Sequence, residues 1–221
     1  MTKRTVVSTG ATLLAASLVM TGCGSRGGGD SSTTSGATGG SGGKVAKIGV
    51  IAPLTGNLSP LGLGIQHSVE LAVQEANANK TIPGWTLQVA PADDQATPDV
   101  GKNAATKLAG DDQVVGVVGT LNSSVALQVQ PVLAAGNITQ VSPANTNPDL
   151  TKDPKTMKRV YPTYFRTCTT DAIQGPFAAQ YLLGAGIKKI ATVNDKKAYG
   201  QGLVTAFEGE FKKGGGTIVS H

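Results

Sequence analysis

The stretch VVGVVGTLNSS, Val114 to Ser124, decides the fold. Val114 to Val118 is an unbroken apolar run of strand length, the pattern of a strand buried on both faces of a parallel sheet. Small and hydroxyl residues follow at once. Val125, Val129, Val132 and Leu133 then recur at helical spacing, so the strand feeds a helix through Gly119-Thr120-Leu121-Asn122-Ser123-Ser124. In a parallel sheet this turn sits at the carboxyl end of the strand, where backbone N–H groups and hydroxyls at a helix N-terminus suit a small anionic group. The same residues suit a simple helix cap, and the stretch alone leaves both roles open.

The alternation repeats on either side. Val45 to Ala52 reads as a strand ended by Pro53-Leu54-Thr55-Gly56, and a helix over about Gly62 to Ala78 places Ile65, Val69, Ala72, Val73 and Ala76 on one face. Trp85 to Ala90 makes a second strand after a Pro83-Gly84 turn. Thr97 and Pro98 read as the cap and first residue of a helix that reaches Leu108 and closes at Gly110. Ile138 to Ser142 is a fourth strand, and Thr163 to Thr167 a short extended piece. Asp171 then caps a helix to about Leu183, Lys188 to Asn194 is a strand, Gly200 to Lys213 a helix and Thr217 to Ser220 a strand. This order predicts right-handed βαβ units and an α/β, Rossmann-like, doubly wound parallel sheet. Residues 44–170 form a first lobe and 171–221 the start of a second, which one βαβ unit leaves incomplete unless more chain or a partner finishes it. Functional groups belong at the carboxyl ends of strands: Pro53 to Leu61, Asp93 to Thr97, Thr120 to Ser124, and Pro143 to Leu150.

The N-terminus reads as an address. Lys3 and Arg4 precede a moderately apolar segment, Val6 to Met20, too short for a comfortable membrane span, and small residues then lead to Cys23. Residues 1–22 resemble a bacterial lipoprotein signal, which implies cleavage before Cys23 and a lipid on that residue. Gly24 to Gly43 is almost wholly Gly, Ser and Thr and cannot bury enough apolar surface to fold, so 23–43 reads as a lipidated cysteine plus tether. About 20 such residues have a root-mean-square reach of roughly 25 Å. Its GGSGG matches a nucleophile elbow in letters only, with no strand before it and no helix after. The remaining cysteine, Cys168, reads as a small buried thiol without a disulfide partner.

The formal charge is +5, and removal of Lys3 and Arg4 with a leader leaves +3. Basic residues are scattered and not interleaved with aromatics, so no nucleic-acid partner is expected. A nicotinamide enzyme would need G-x-G-x-x-G after the first strand, but Gly62 and Gly64 are followed by His67 at the third position. Asp93-Asp94 and Asp111-Asp112 are sequence neighbours without an acid/base partner, and no metal-spaced His/Cys cluster occurs. No enzyme activity, metal or cofactor is expected.

KIGVIAPLTG (Lys47 to Gly56), the Gly62 helix, DDQATPD (Asp93 to Asp99), VVGVVGTLNSS, VSPANTNPDLT (Val141 to Thr151), FRTCTTDAIQGP (Phe165 to Pro176) and NDKKAYGQG (Asn194 to Gly202) follow one another in family order. Together they resemble the leucine/isoleucine/valine-type substrate-binding proteins of bacterial ABC transporters, with the type I periplasmic binding fold. The resemblance implies two lobes joined by a hinge, which close on a small ligand, usually an amino acid, and pass it to a membrane permease from an extracytoplasmic position. By position it gives Ser123 the ligand carboxylate, with the adjacent backbone at Ser124. It gives Thr146 a second contact to the same ligand, Asn145 a place where backbone is presented, and Tyr199 a cover from the second lobe. Asp171 becomes a hinge-side carboxylate for an ammonium. On residue chemistry alone, Asp171 equally caps its helix, Tyr199 equally fills a helix start, and Thr146 equally joins the turn Asn145 to Pro148. Leu61 stands where many members carry an aromatic, so side-chain specificity is not fixed. The family's second lobe, with an acidic residue for the ammonium, continues beyond the residues present here. A sensor or an amide- or urea-type receptor of the same fold, passing a signal to a partner protein, is the alternative function.

Overall fold

A computed structural model describes residues 43–221; the leader at 1–22, Cys23 and the tether before Gly43 lie outside the described residues. Residues 41–221 form one unit. Strand β1 (Lys44–Ala52) leads to α1 (Ser59–Ala78), β2 (Trp85–Asp93), α2 (Pro98–Ala109), β3 (Val114–Gly119), α3 (Ser123–Ala135) and β4 (Thr139–Ser142). A 3-10 turn, Pro148–Leu150, precedes β5 (Tyr164–Arg166), α4 (Asp171–Gly184), β6 (Lys189–Ala191), α5 (Ala198–Lys213) and β7 (Thr217–Ser220).

Strands β1 to β5 form one parallel sheet in the order β2-β1-β3-β4-β5, and β6 pairs β7 in a separate parallel pair. The order reverses between β1 and β3, so their carboxyl ends frame the crevice of a doubly wound sheet. Ile51, Leu108, Val117, Val125, Val129 and Leu133 pack together where α2 and α3 cover one face. Gly119 is indispensable at the end of β3: its φ is +138° and a Cβ there would stand 2.1 Å from the Ile51 carbonyl oxygen.

Four expectations are corrected. The opening strand is not buried throughout: Val115 is 56% exposed, and α1 packs chiefly over β1 and β2. The first helix begins three residues early, at Ser59, since Pro60 supplies the fixed φ of a first turn. The cap of α4 is Thr170, in extended conformation, and Asp171 is the first helical residue with its side chain fully buried. Strand β6 stops at Ala191, before the polar run Thr192 to Lys197, and Val193 is 90% exposed. Cys168 is free and half-buried, and its thiol donates to the Asn145 carbonyl at 3.3 Å.

Candidate functional site

A cavity of about 320 Å³ lies at the β1/β3 crevice, walled by Leu58, Leu61, Leu121, Asn122, Ser123, Ala144, Thr146 and Tyr199. Its size and its mostly apolar lining with a few convergent polar groups are those of a small-molecule site. The segments after β1, β3 and β4 build it, with Leu61 from the first turn of α1, and α5 adds Tyr199.

Asn122 precedes α3 in extended conformation but its side chain makes no cap hydrogen bond, and its buried Oδ1 has no partner. The N–H groups of Ser123 and Ser124, first and second in the helix, have no intrahelical acceptor, so the positive end of α3 faces the cavity uncapped. Ser123 is 2% exposed, and its hydroxyl accepts the Asn147 N–H at 3.4 Å. Ser124 is half-buried and stays off the wall. Thr146 stands on the wall with a buried hydroxyl that lacks a partner. Tyr199 closes the wall while 43% exposed.

Asn145 lies behind the wall. Fully buried, it donates its side-chain amide to the Leu121 carbonyl at 3.0 Å, accepts from the Tyr164 hydroxyl at 3.2 Å, and gives its carbonyl to Arg166 at 2.7 Å. It thereby fixes Ala144 and Thr146 against the turn after β3. Asp171 also sits behind Thr146, donating its backbone N–H to the Thr146 carbonyl at 2.9 Å, and neither of its buried carboxylate oxygens has a hydrogen-bond partner. Burial raises its pKa, offset only in part by the nearby Thr146 hydroxyl and Arg166 guanidinium. Here α5 meets the loop between β4 and β5. The Asn147 amide donates to the Ala198 carbonyl at 2.9 Å, and a Cβ on Gly202 would fall 2.6 Å from Asp171 Oδ2.

Site-building residues that sequence reasoning did not single out are Arg166 and Tyr164; Asp93, which opens one of the four strand-end junctions, carries no role in that reading. Arg166 ties the Asn145 and Asn147 carbonyls together, the latter at 3.0 Å. Asp93 holds the loop that carries Leu58 and leads into α1 with Leu61: it accepts from Leu54 N–H at 2.8 Å and from the Thr55 hydroxyl. Burial alone would raise the Asp93 pKa, but bonds from Thr55, Gln95 and Leu54 hold it below the ordinary carboxylate value. The signal for Arg166 was its position at the carboxyl end of β5. A second cleft of about 550 Å³ runs between α1 and the sheet past Ile48, Ile65, Val69 and Val118. Its one side-chain hydroxyl, on Ser68, is bonded to the Gly64 carbonyl, so nothing there orients a polar ligand. Among the described residues no group of three or more metal-ligating side chains occurs, and no helix is long and apolar enough to cross a membrane.

The periplasmic binding protein family model matches residues 45–221. A Leu/Ile/Val-binding protein of Rhizobium johnstonii is 40% identical over 173 residues, which is 78% of this chain and 45% of that protein. A Leu/Ile/Val-binding protein homologue of Brucella melitensis is 38% identical over 79% of this chain and 46% of its own. The chain thus spans about half the length of the curated relatives it matches. Among solved structures, a leucine-binding protein of Thermotoga maritima superposes with a TM-score of 0.71 at 25% identity, covering 80% of this chain and 48% of that one. An ABC transporter substrate-binding protein of Desulfitobacterium hafniense in complex with Leu gives 0.66 at 29% identity, with 80% and 50% covered. A Rhodopseudomonas palustris solute-binding protein in complex with benzoate gives 0.71 at 27%, with 80% and 47% covered. A parallel sheet that reverses order at a ligand-sized cavity, matched along nearly all the described residues, places the chain in the periplasmic binding protein family.

Proposed function

We propose that this chain carries the ligand-capturing lobe of an extracytoplasmic solute-binding protein, anchored by a lipid on Cys23, that serves an ABC importer and hands an amino acid of the branched-chain type to the permease. One observation carries the reading: the uncapped N-terminus of α3 opens, beside the unpartnered Thr146 hydroxyl, onto a cavity otherwise walled by Leu58, Leu61, Leu121 and Ala144. The ligand carboxylate lies against the Ser123 hydroxyl and the first N–H groups of α3, where charge-assisted bonds in a closed site are strong. The aliphatic side chain lies on the leucines. Leu61 supplies breadth where an aromatic would narrow the space. Asp171 supplies the negative charge behind Thr146 that an ammonium group requires, and Tyr199 covers the ligand as α5 moves in.

The Rhodopseudomonas palustris protein in complex with benzoate supports a second reading, an aromatic acid held by the same α3 N-terminus. The buried, unpartnered Asp171 carboxylate favours a ligand that also bears a cation. The test is thermal melting of the chain with isoleucine, leucine, valine and benzoate in turn. A ligand that binds only the native state raises stability by RT ln(1 + [L]/Kd), about 2.7 kcal/mol at a hundredfold excess over Kd. A shift with the aliphatic amino acids and none with benzoate is the expected result. A shift with benzoate alone would transfer the site to aromatic acids, and no shift with any compound would end the solute-binding reading for this chain.

A further inference from the structure

We infer that the amino-terminal end of the five-stranded sheet is a membrane-contact surface, in which Trp85, Ile82 and Pro83, flanked by Lys44 and Lys80, seat on phospholipid headgroups. Trp85 is the sole tryptophan of the chain and is 41% exposed; Ile82 is 45% exposed. Both border an open hollow between the end of α1 and the start of β2. The surface is held rigidly. Asn77, in the last turn of α1, donates to and accepts from the Leu87 backbone at 2.8 Å each way, and the Lys44 N–H donates to the Gly84 carbonyl at 3.0 Å. The Lys44 ammonium lies 5.4 Å from the centre of the Trp85 ring. Among the described residues neither Lys44 nor Lys80 belongs to an ion pair, while Asp111, at the same end of the sheet, is taken up by Lys47 at 2.8 Å.

An exposed indole between unpaired lysines fits the headgroup layer: the ring body enters the interface, and the ammonium groups meet lipid phosphates. The occupant follows from where the rest of the chain arrives. Gly43, the first described residue, leads straight into Lys44, so the stretch from Cys23 enters the unit at this surface and not at the cavity. The inference rests on the proposed lipid at Cys23. A link of about 20 residues to a lipid sets an effective concentration in the millimolar range, so even a weak contact is populated. Because β1 spans nine residues, the cavity at its other end stands roughly 30 Å from the contact surface. In this posture it opens away from the lipid and loads from solution.

The experiment uses the full chain, expressed and processed in a bacterial host and reconstituted into vesicles of phosphatidylcholine and phosphatidylglycerol brominated high on the acyl chains. Flotation reads the anchor, and quenching of Trp85 fluorescence reads the surface. The expected result is flotation with Trp85 quenched, and a docked fraction that falls roughly fivefold for each of Lys44→Gln and Lys80→Gln. Flotation with Trp85 unquenched overturns the surface and leaves the anchor standing. Equal flotation of a Cys23→Ser chain, or none of the parent, removes the anchor and the inference with it. A Trp85 blue shift that depends on protein concentration in lipid-free detergent would assign the surface to a second copy of the chain and overturn it as well.

Discussion

At the scale of single residues, the buried polar groups divide into those bonded within the wall and those left without a partner. Asn145 has every polar atom engaged by protein, whereas the Thr146 hydroxyl and the Asp171 carboxylate have none. Ser123→Ala removes one charge-assisted bond in a closed site, and ligand affinity should fall by roughly 1.5–3 kcal/mol in a calorimetric titration. Unchanged affinity would retire Ser123 as a contact. Asp94 offers a test that needs no ligand. It is fully buried, one of its oxygens has no partner, and burial pushes its pKa up to about 6 despite the bond from the Ala96 N–H. An acid whose pKa is higher folded than unfolded binds more protons in the native state between the two values, so its contribution to stability declines as pH rises from about 4 to about 6. Asp94→Asn should remove that part of the slope in denaturant titrations across this range, and a slope identical to the parent's would clear Asp94 of the effect. At this scale residue chemistry left Ser123 and Thr146 open between cap or turn and ligand contact, and only the family resemblance gave them ligand roles. The sequence did not reveal the bonds by which the Asn145 side chain ties the wall together, since those partners are distant in the chain.

Among elements, the contact of α5 with the β4–β5 loop is the one that the proposed function depends on, because it brings Tyr199 to the cavity. Gly202 permits it: a Cβ there would overlap Asp171 Oδ2 and press on the Asn147 amide at 3.4 Å. Gly202→Ala should force α5 outward, lower the melting temperature by the equivalent of roughly 1–3 kcal/mol, and weaken ligand binding in parallel. A variant that melts like the parent would show that α5 rides freely over Asp171. The elements themselves were readable from apolar period and from Gly/Pro punctuation. Ends were less so: the start of α1 at Ser59 and the true cap of α4 at Thr170 depend on which backbone groups find partners, a matter that side-chain patterns do not encode.

Over the whole molecule, apolar surface is unevenly covered. Ile173, Phe177 and Tyr181 recur along the side of α4 turned from α5 and are 64%, 71% and 70% exposed, and Val219 on β7 is 61% exposed. A patch of this kind promotes association in water. The chain should therefore sediment as concentration-dependent oligomers, and a Phe177→Glu, Tyr181→Glu double variant should shift it to monomer; a parent that stays monomeric at high concentration would count against the patch as an association surface. The sequence by itself determined the α/β alternation, the parallel sense of the strands and the placing of hydroxyl residues at the end of β3, because periodicity and turn chemistry are local and need no knowledge of distant chain. Only the tertiary structure decided that Val115 of β3 stays exposed, that Asp171 is buried and that Tyr199 of α5 reaches the cavity. Each of these depends on which non-local surfaces meet, and the free energy of burying a strand face or a carboxylate is fixed by the neighbour it finds and not by its own position in the chain.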